Sequence, residues 1–337
     1  MLIALDATYS LGRNLSGVGV YSREILFGLA RARPEQQFLF CYRPQRLLRS
    51  LRDALPANAR RRVLTGAPGA PLFHALNQRV DVRARHTICT FHDLFVIAAE
   101  YSSPEFRARF TALARQAAER SDLIIAVSEF TARQVEQLLH VERARIRVIP
   151  HGVTAATVSN ARENLILTVG AIQKRKNIAR LVKAFERLPH GWRLAIAGAP
   201  DGYGAAEELH AVEQSPRRAD IDLAGYVSAA QLEALYARAA VFAFPSLDEG
   251  FGMPVLDAMA RGVPVVASGR SAIPEVAGDA ALLIDPENVE ELSAALLRLA
   301  DDPALREELS RRGRERAEAF SWPATVERTW NVYQELL

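Results

Sequence analysis

The sequence predicts an α/β protein of two doubly wound domains, each a parallel sheet with helices on both faces. Three observations carry that expectation. Short apolar runs alternate with amphipathic stretches along the whole chain, the pattern of βαβ units. Several runs, such as Leu123-Ile124-Ile125-Ala126-Val127, are apolar without interruption, as strands buried on both faces are. The series runs twice, and between its halves lies a polar, aperiodic stretch around Pro150–Glu163.

The first series of strands is expected at Leu2–Leu5, Gln37–Tyr42, Ala59–Leu64, Thr87–Phe91, Leu123–Val127 and Ile146–Ile149. The second is expected at Leu165–Val169, Arg193–Ala197, Ile221–Leu223, Val241–Phe244, Pro264–Ala267 and Ala281–Ile284. Val20–Ala32, Pro104–Arg120, Ile178–Leu188 and Ala229–Ala239 read as amphipathic helices. Ser321 as N-cap and Pro323 in the first turn open a last helix, with Val326, Trp330 and Tyr333 or Leu337 on one face. The expected domains are 1–155 with 321–337, and 156–320.

Composition narrows the class. The chain has 337 residues, 49% hydrophobic and 24% charged, which is too apolar and too balanced for a disordered chain. No run approaches the roughly 18–20 apolar residues of a membrane-spanning helix. The start, Met1 to Asp6, meets an acid at once and reads as a first strand, not a signal peptide. Two cysteines, Cys41 and Cys89, argue against a disulfide framework and for a reducing, cytoplasmic setting.

The net charge of +3 hides an asymmetry. Residues 1–150 hold 22 arginines and no lysine against 13 acids, a balance of +9, and the remainder carries −6. A basic first half suggests an anionic partner: nucleic acid, a membrane surface or a phosphorylated acceptor.

Five constellations bear on chemistry. Ser16-Gly17-Val18-Gly19 follows the first strand and opens a helix, where backbone amides favour an anion. It lacks the third glycine of a dinucleotide fingerprint. Gly170-Ala171-Ile172-Gln173-Lys174-Arg175-Lys176-Asn177 sets three cations in a loop at a strand's C-terminal end, where open α/β sheets bind ligands. Two of the three lysines in the chain lie in that loop. The richest stretch runs from Pro245 to Gly262. Pro254 suits a first helical turn and Gly262 a C-terminal cap, so a helix is expected near 254–261. Its start would offer the amides of Gly252, Met253, Val255 and Leu256 to an anion, with Glu249 before it and Asp257 one turn in. His92 ends a strand, followed by Asp93, and is a candidate at the site. Asp220-Ile221-Asp222 resembles a metal-binding acid pair but has no further ligand nearby, and reads as surface.

Glu249-Gly-Phe-Gly-Met-Pro-Val-Leu-Asp257-Ala-Met-Ala, followed by Gly262-Val-Pro-Val-Val and Pro274-Glu275-Val276-Ala277-Gly278, resembles the family-4 retaining glycosyltransferases of the GT-B fold. Other pieces fall in that family's order over nearly the whole chain: Gly17-Val-Gly19, Phe91-His92-Asp93, Val127-Ser128-Glu129, Pro150-His151-Gly152, Arg175-Lys176-Asn177 and Gly225-Tyr226-Val227. The Arg-Lys-Asn form of the basic loop is that of polysaccharide and lipopolysaccharide mannosyltransferases. The resemblance implies two Rossmann-like domains facing a central cleft, with the donor held mostly by the C-terminal one, and a last helix crossing back to the N-terminal domain. It implies that Glu249 contacts the transferred sugar and Asp257 the ribose. Arg175 and Lys176 would hold the diphosphate. Gly17 and Gly19 would close over the donor, His92 would sit near the sugar's 6-position, and Tyr226 and Val227 would edge the base; Gly170 and Pro254 are further donor-binding candidates. The sequence departs from the family's pattern twice: Asp257 stands for a second glutamate, and Ala171 for a second phosphate-binding arginine that Arg175 replaces.

The expected function is therefore transfer of a hexose, mannose first, from GDP-mannose or a UDP-sugar to a saccharide or lipid-linked acceptor, with retention and without a metal or other cofactor. A phosphorylase or non-catalytic sugar-nucleotide binder is the alternative enzyme-like reading. A nucleic-acid binder is disfavoured, because Arg43, Arg46, Arg49, Arg52, Arg60, Arg61 and Arg62 are not interleaved with stacking aromatics. Spacing of three from Arg43 to Arg52, with Leu47, Leu48, Leu51 and Leu55 nearby, instead suggests a basic helix stripe for a peripheral contact with the anionic inner face of a membrane.

Overall fold

A computed structural model describes residues 2–12, 15–154, 156, 158–159 and 162–337. Met1 of the expected first strand, and Ala155, Thr157, Asn160 and Ala161 of the expected linker, lie outside the described residues. The chain divides into two compact units. The first comprises residues 1–100, 104–152 and 320–337, and the second 101–103 and 153–319.

The first unit is built on seven parallel strands: β1 (Leu2–Asp6), β2 (Gln37–Tyr42), β3 (Ala59–Val63), β4 (Leu72–Ala75), β5 (His86–Phe91), β6 (Leu123–Ala126) and β7 (Ile146–Val148). Their order is β3-β2-β1-β4-β5-β6-β7, so the winding reverses between β1 and β4. Ala4 of β1 pairs with Leu39 on one side and Phe73 on the other. Sequence reading misses β4. It is four residues long, follows Pro71, and carries a histidine in mid-run, so neither length nor periodicity marks it. Every one of its residues is nonetheless buried, because it is the central strand at the reversal. Ala4, Cys41, Phe73, Cys89, Phe91 and Ile124 share one core. Both cysteines are free, and burial pushes each thiol up to about 12.

The last helix, Trp322–Gln334, belongs to this first unit and starts where expected, with the Ser321 hydroxyl accepting from the Ala324 amide at 3.3 Å. It packs on the helix Gly17–Ala32 so closely that a Cβ at Gly28 would lie 2.5 Å from Val326. Tyr333 faces inward and Leu337 is exposed.

The second unit holds six parallel strands: β8 (Glu163–Val169), β9 (Arg193–Ala197), β10 (Ile221–Gly225), β11 (Ala239–Phe244), β12 (Val265–Ser268) and β13 (Leu282–Ile284). The order β10-β9-β8-β11-β12-β13 repeats the first sheet's plan, with its reversal between β8 and β11. Its core joins Ile166, Leu181, Phe185, Ile196, Val241 and Val266. The helix expected near 254–261 spans Met253–Ala260, and Gly262 follows it at φ +65.

The expected basic helix stripe is shortened. The helix covers only Pro44–Ser50, and Arg43 lies before it, turned onto Asp81 at 2.7 Å. Arg60, Arg61 and Arg62 belong to β3, where Arg61 donates to the Ser50 and Asp53 carbonyls. Among the described residues, no helix is long and apolar enough to cross a membrane.

Candidate active site

In a doubly wound sheet the loops on either side of the winding reversal diverge, and a ligand fits between them. In the second unit those are the loops after β8 and β11. They carry the basic stretch 170–177 and the stretch 245–252.

The loop after β8 is shaped by close approach. Gly170 adopts φ +143, and a Cβ there would meet Lys176 Cε at 3.0 Å. A Cβ at Gly198, after β9, would lie 1.8 Å from the Gly170 carbonyl oxygen. Gly198 is thus required by the close approach of the Gly170 carbonyl, and Gly170 by its positive φ. Lys174–Lys176 make one 3₁₀ turn, ended by Asn177 in the left-handed region at φ 61. The Asn177 amide group donates to the carbonyls of Pro245 at 3.0 Å and Pro286 at 2.7 Å. One buried side chain therefore pins the β8 loop to the ends of β11 and β13. The Leu247 amide adds a bond to the Arg175 carbonyl at 2.7 Å.

These ties bring Lys176 and Arg175 onto Glu249. Lys176 Nζ lies 2.5 Å and Arg175 Nη1 2.6 Å from Glu249 Oε1, with the Ser246 hydroxyl donating to the same oxygen at 2.7 Å. Lys176 Nζ also sits 4.5 Å from the centre of the Phe244 ring. All three charged side chains are about a tenth exposed, at 9–11%. Burial alone would raise the Glu249 carboxyl; the charges of Arg175 and Lys176 and the bonds from Lys176 and Ser246 overcome it and hold the group down at about 2. It is a fixed anion at neutral pH. Its described bonds all converge on Oε1, and none uses Oε2. Behind it, the Ser271 hydroxyl accepts from the Glu249 amide at 3.0 Å.

Several expectations change here. Val255 and Leu256 do not offer free amides: both donate to the Gly252 carbonyl, at 3.0 and 3.3 Å. Pro254 has no amide hydrogen, so the anion-facing donors narrow to those ahead of it, at Gly252 and Met253. Gly252 itself takes φ +102 to turn the chain into the helix. Asp257 is not held out toward a ligand. Arg261, one turn on, bonds its carboxylate at 3.1 Å, and Glu233 holds the same guanidinium. Tyr226 is exposed and Val227 half-buried in the loop after β10, with Ser228 capping the next helix. Asp220 is tied to Arg217 at 3.0 Å and Asp222 is exposed. Among the described residues, no group of three or more acids, histidines or cysteines is placed to hold a metal ion.

The remaining candidates lie in the first unit. Gly17 is exposed at the start of its helix. Gly19 is buried and its amide donates to the Ser16 hydroxyl, and a Cβ there would lie 3.0 Å from the Tyr9 carbonyl oxygen. His92 is buried: Nε2 donates to the Leu76 carbonyl at 3.0 Å, and the ring stacks on His151 with centroids 5.3 Å apart. Tyr21 meets both rings edge-on. Burial lowers His92 to about 4, so it is neutral at pH 7 and is not a ready proton donor.

Sequence reading missed Ser246, Phe244, Asn177 and Ser271 as parts of the site. Ser246 and Asn177 stand inside the quoted motifs, so position signalled them; Phe244 reads as an ordinary strand residue, and nothing marks Ser271.

A model of the glycosyl transferases group 1 matches residues 154–316, and a model of Glycosyltransferase Family 4 matches residues 19–156. The chain is similar to O-antigen chain mannosyltransferase B of Escherichia coli, 31% identical over 283 residues, covering 79% of this chain and 74% of that protein. It is also similar to the MMP alpha-(1->4)-mannosyltransferase of Mycolicibacterium hassiacum, 31% identical over 238 residues, covering 68% of this chain and 57% of that one, little over half its length. Among solved structures, sucrose-phosphate synthase from Thermosynechococcus elongatus has the same fold, with a TM-score of 0.81 at 22% identity, covering 100% of this chain and 99% of that one.

Proposed function

The chain belongs to the family-4, group 1 glycosyltransferases, and on that premise we propose that it moves mannose from a nucleoside-diphosphate sugar, GDP-mannose ahead of a UDP-sugar, to a saccharide or lipid-linked acceptor. Transfer proceeds with retention and needs no metal. The observation that carries this reading is the buried knot of Arg175, Lys176 and Glu249 at the reversal of the second sheet. The mannose assignment leans on the similarity to two mannosyltransferases.

The difficult part of the reaction is charge. As the bond between the anomeric carbon and the phosphate oxygen breaks, negative charge gathers on the diphosphate. Preorganised cations and amides aimed at that charge lower the barrier. Lys176 and Arg175 supply two cations, already desolvated and fixed, and the Gly252 and Met253 amides add donors. Together they stand where a divalent cation would serve in other transferases.

Glu249 holds those cations in place before the donor arrives. Held at about 2, it is too weak a base to take the acceptor's proton at neutral pH. Its Oε2 is the oxygen suited to accept from the sugar's hydroxyls. A covalent two-carboxylate scheme is disfavoured, since Asp257, the next candidate, is engaged by Arg261. In the scheme proposed, the acceptor oxygen bonds to the anomeric carbon on the face the diphosphate leaves, and its proton passes to the departing phosphate oxygen.

A thermal-shift screen of GDP, UDP, ADP and their sugars identifies the donor by the rise in midpoint on binding. With that donor, Lys176→Ala should lower turnover roughly a hundredfold or more, the scale of losing one preorganised donor to a developing anion. Unchanged turnover in a folded Lys176→Ala protein would falsify the proposal.

A further inference from the structure

The first unit has a pocket of its own, and its lining is lopsided in charge. The cavity, of about 1340 Å³, is lined by Arg23, Arg43, Arg46, Arg49, Arg52 and Arg79, with Asp53 as the one lining carboxylate among the described residues. Among the described residues, its walls include Thr8, Tyr9 and Leu11 after β1, Arg43 to Asp53 in the stretch after β2, and Arg79 after β4. These are strand C-terminal ends beside the winding reversal between β1 and β4, the place where doubly wound sheets take ligands. Charge and topology thus mark the same spot independently.

The six arginines are not equivalent. Arg43 and Arg79 share Asp81, each at 2.7 Å, and Arg43 lies 3.6 Å from buried Asp6. Arg23 lies 3.6 Å from Asp53. These three form a braced inner wall. Arg46, Arg49 and Arg52 have no ion pair among the described residues and are exposed to the cavity mouth. Arg46 and Arg49 lie on the helix Pro44–Ser50 and Arg52 just past its end, and all three line the same cavity. Like charges gathered in a concavity repel, and they focus a field that an anion relieves. Guanidinium forks match phosphate oxygens in pairs, which lysines do not.

We propose that this pocket binds the phosphate or diphosphate ester of the acceptor, so that the substrate accepting the sugar is itself a phosphorylated molecule. The inference rests on the glycosyltransferase reading above and names the acceptor's chemical class. Its lipid-borne and soluble forms share the same recognised group.

The test separates this pocket from the donor loop. Calorimetry with inorganic pyrophosphate is run on the full chain carrying Lys176→Ala, which weakens the donor loop, with and without Arg46→Gln, Arg49→Gln and Arg52→Gln together. The Lys176→Ala protein should bind pyrophosphate, and the arginine substitutions should weaken that binding on the order of a hundredfold, the scale expected for several charge-assisted bonds. Equal affinity with and without the arginines overturns the proposal. Asp53→Asn guards against misfolding as the cause: removing this lining carboxylate should tighten pyrophosphate several-fold, and weaker or unchanged binding counts against the pocket.

Co-sedimentation then finds the source. Capture on phosphatidylcholine vesicles carrying phosphatidic acid, competed by pyrophosphate, supports a lipid-borne phosphate; pyrophosphate binding without capture supports a soluble one. If the arginines govern capture on phosphatidylglycerol vesicles while pyrophosphate binding is indifferent to them, they form a membrane face and the proposal fails. Nucleotide-sugar binding, read in the arginine variant with Lys176 intact, reports on the donor site separately. Failure of the pocket is therefore distinguishable from failure of the glycosyltransferase reading.

Discussion

At the scale of single residues, the site turns on one oxygen. Glu249 Oε1 takes Lys176, Arg175 and Ser246 together. Such a knot is costly to desolvate, and removing one partner of a buried pair typically costs about 3–5 kcal/mol. Glu249→Gln keeps the shape but removes the charge that holds both cations. Urea denaturation should show a loss of stability within that range. Kinetics should split: kcat falls roughly a hundredfold as sugar alignment is lost, while the donor KM does not rise, because the cations are left free for the diphosphate. A raised donor KM with kcat intact would mean that Glu249 serves binding only. Asp257 is the contrast. Its carboxylate answers to Arg261, so Asp257→Asn should change the donor KM less than about tenfold, under the roughly 1.4 kcal/mol of one strong contact. A larger rise, measured by initial rates, would show that the ribose displaces Arg261 when it binds.

At the scale of elements, the site depends on how the β8 loop is fastened. Asn177 does this with an unusual backbone and two side-chain bonds. Asn177→Gly accepts the φ of 61 but loses both bonds, and should cost about 1–3 kcal/mol. Asn177→Ala loses the bonds and also strains the left-handed position, adding about 1–2 kcal/mol. Equal destabilisation of the two in urea would show that backbone conformation is not part of the lock. Much of this was legible in the sequence. Alternating strands and helices, the basic loop at a strand end and the Pro254 helix start all follow from local rules, and the last helix announced itself through Ser321 and Pro323. What was not legible is what distance in sequence hides. The β4 strand is short and central, so burial on both faces makes it a strand where propensity does not. Ser271 reaches Glu249 from 22 positions away. Asp257 carries the expectation of a ribose contact from its motif position, whereas its bond to Arg261, itself held by Glu233 on another helix, shows only in the fold. The arginine stripe looked like a helix face because spacing of three persists through Arg52, but the helix ends at Ser50.

At the scale of the whole molecule, the two units carry different acid sensitivities. The first unit buries His74, His92 and His151 in one neutral network with Tyr21, Thr90 and Tyr333. Burial lowers His74 to about 3 and His92 to about 4, and puts His151 well below its ordinary value. In the unfolded chain each titrates near its ordinary value of about 6.5. The unfolded state therefore binds more protons between those limits, and stability falls as pH drops below about 6.5, by up to about 1.4 kcal/mol per pH unit for each histidine. In the second unit Glu249 has a folded value of about 2 against an unfolded value near 4.5. Its contribution is intact above the unfolded value and is lost only as pH falls toward 2. Acid should therefore weaken the first unit between pH 6.5 and 4, ahead of the second. The chain's three tryptophans allow this to be read, since Trp322 and Trp330 lie in the first unit and Trp192 in the second. Trp192→Phe leaves a reporter of the first unit, and Trp322→Phe with Trp330→Phe leaves a reporter of the second. Urea midpoints followed by fluorescence from pH 8 to pH 4 should drop steeply for the first reporter and little for the second. His74→Gln, which keeps a neutral hydrogen-bonding side chain but cannot take up a proton in this range, should flatten the first curve by about a third; an unchanged slope would place the acid-sensitive proton uptake elsewhere.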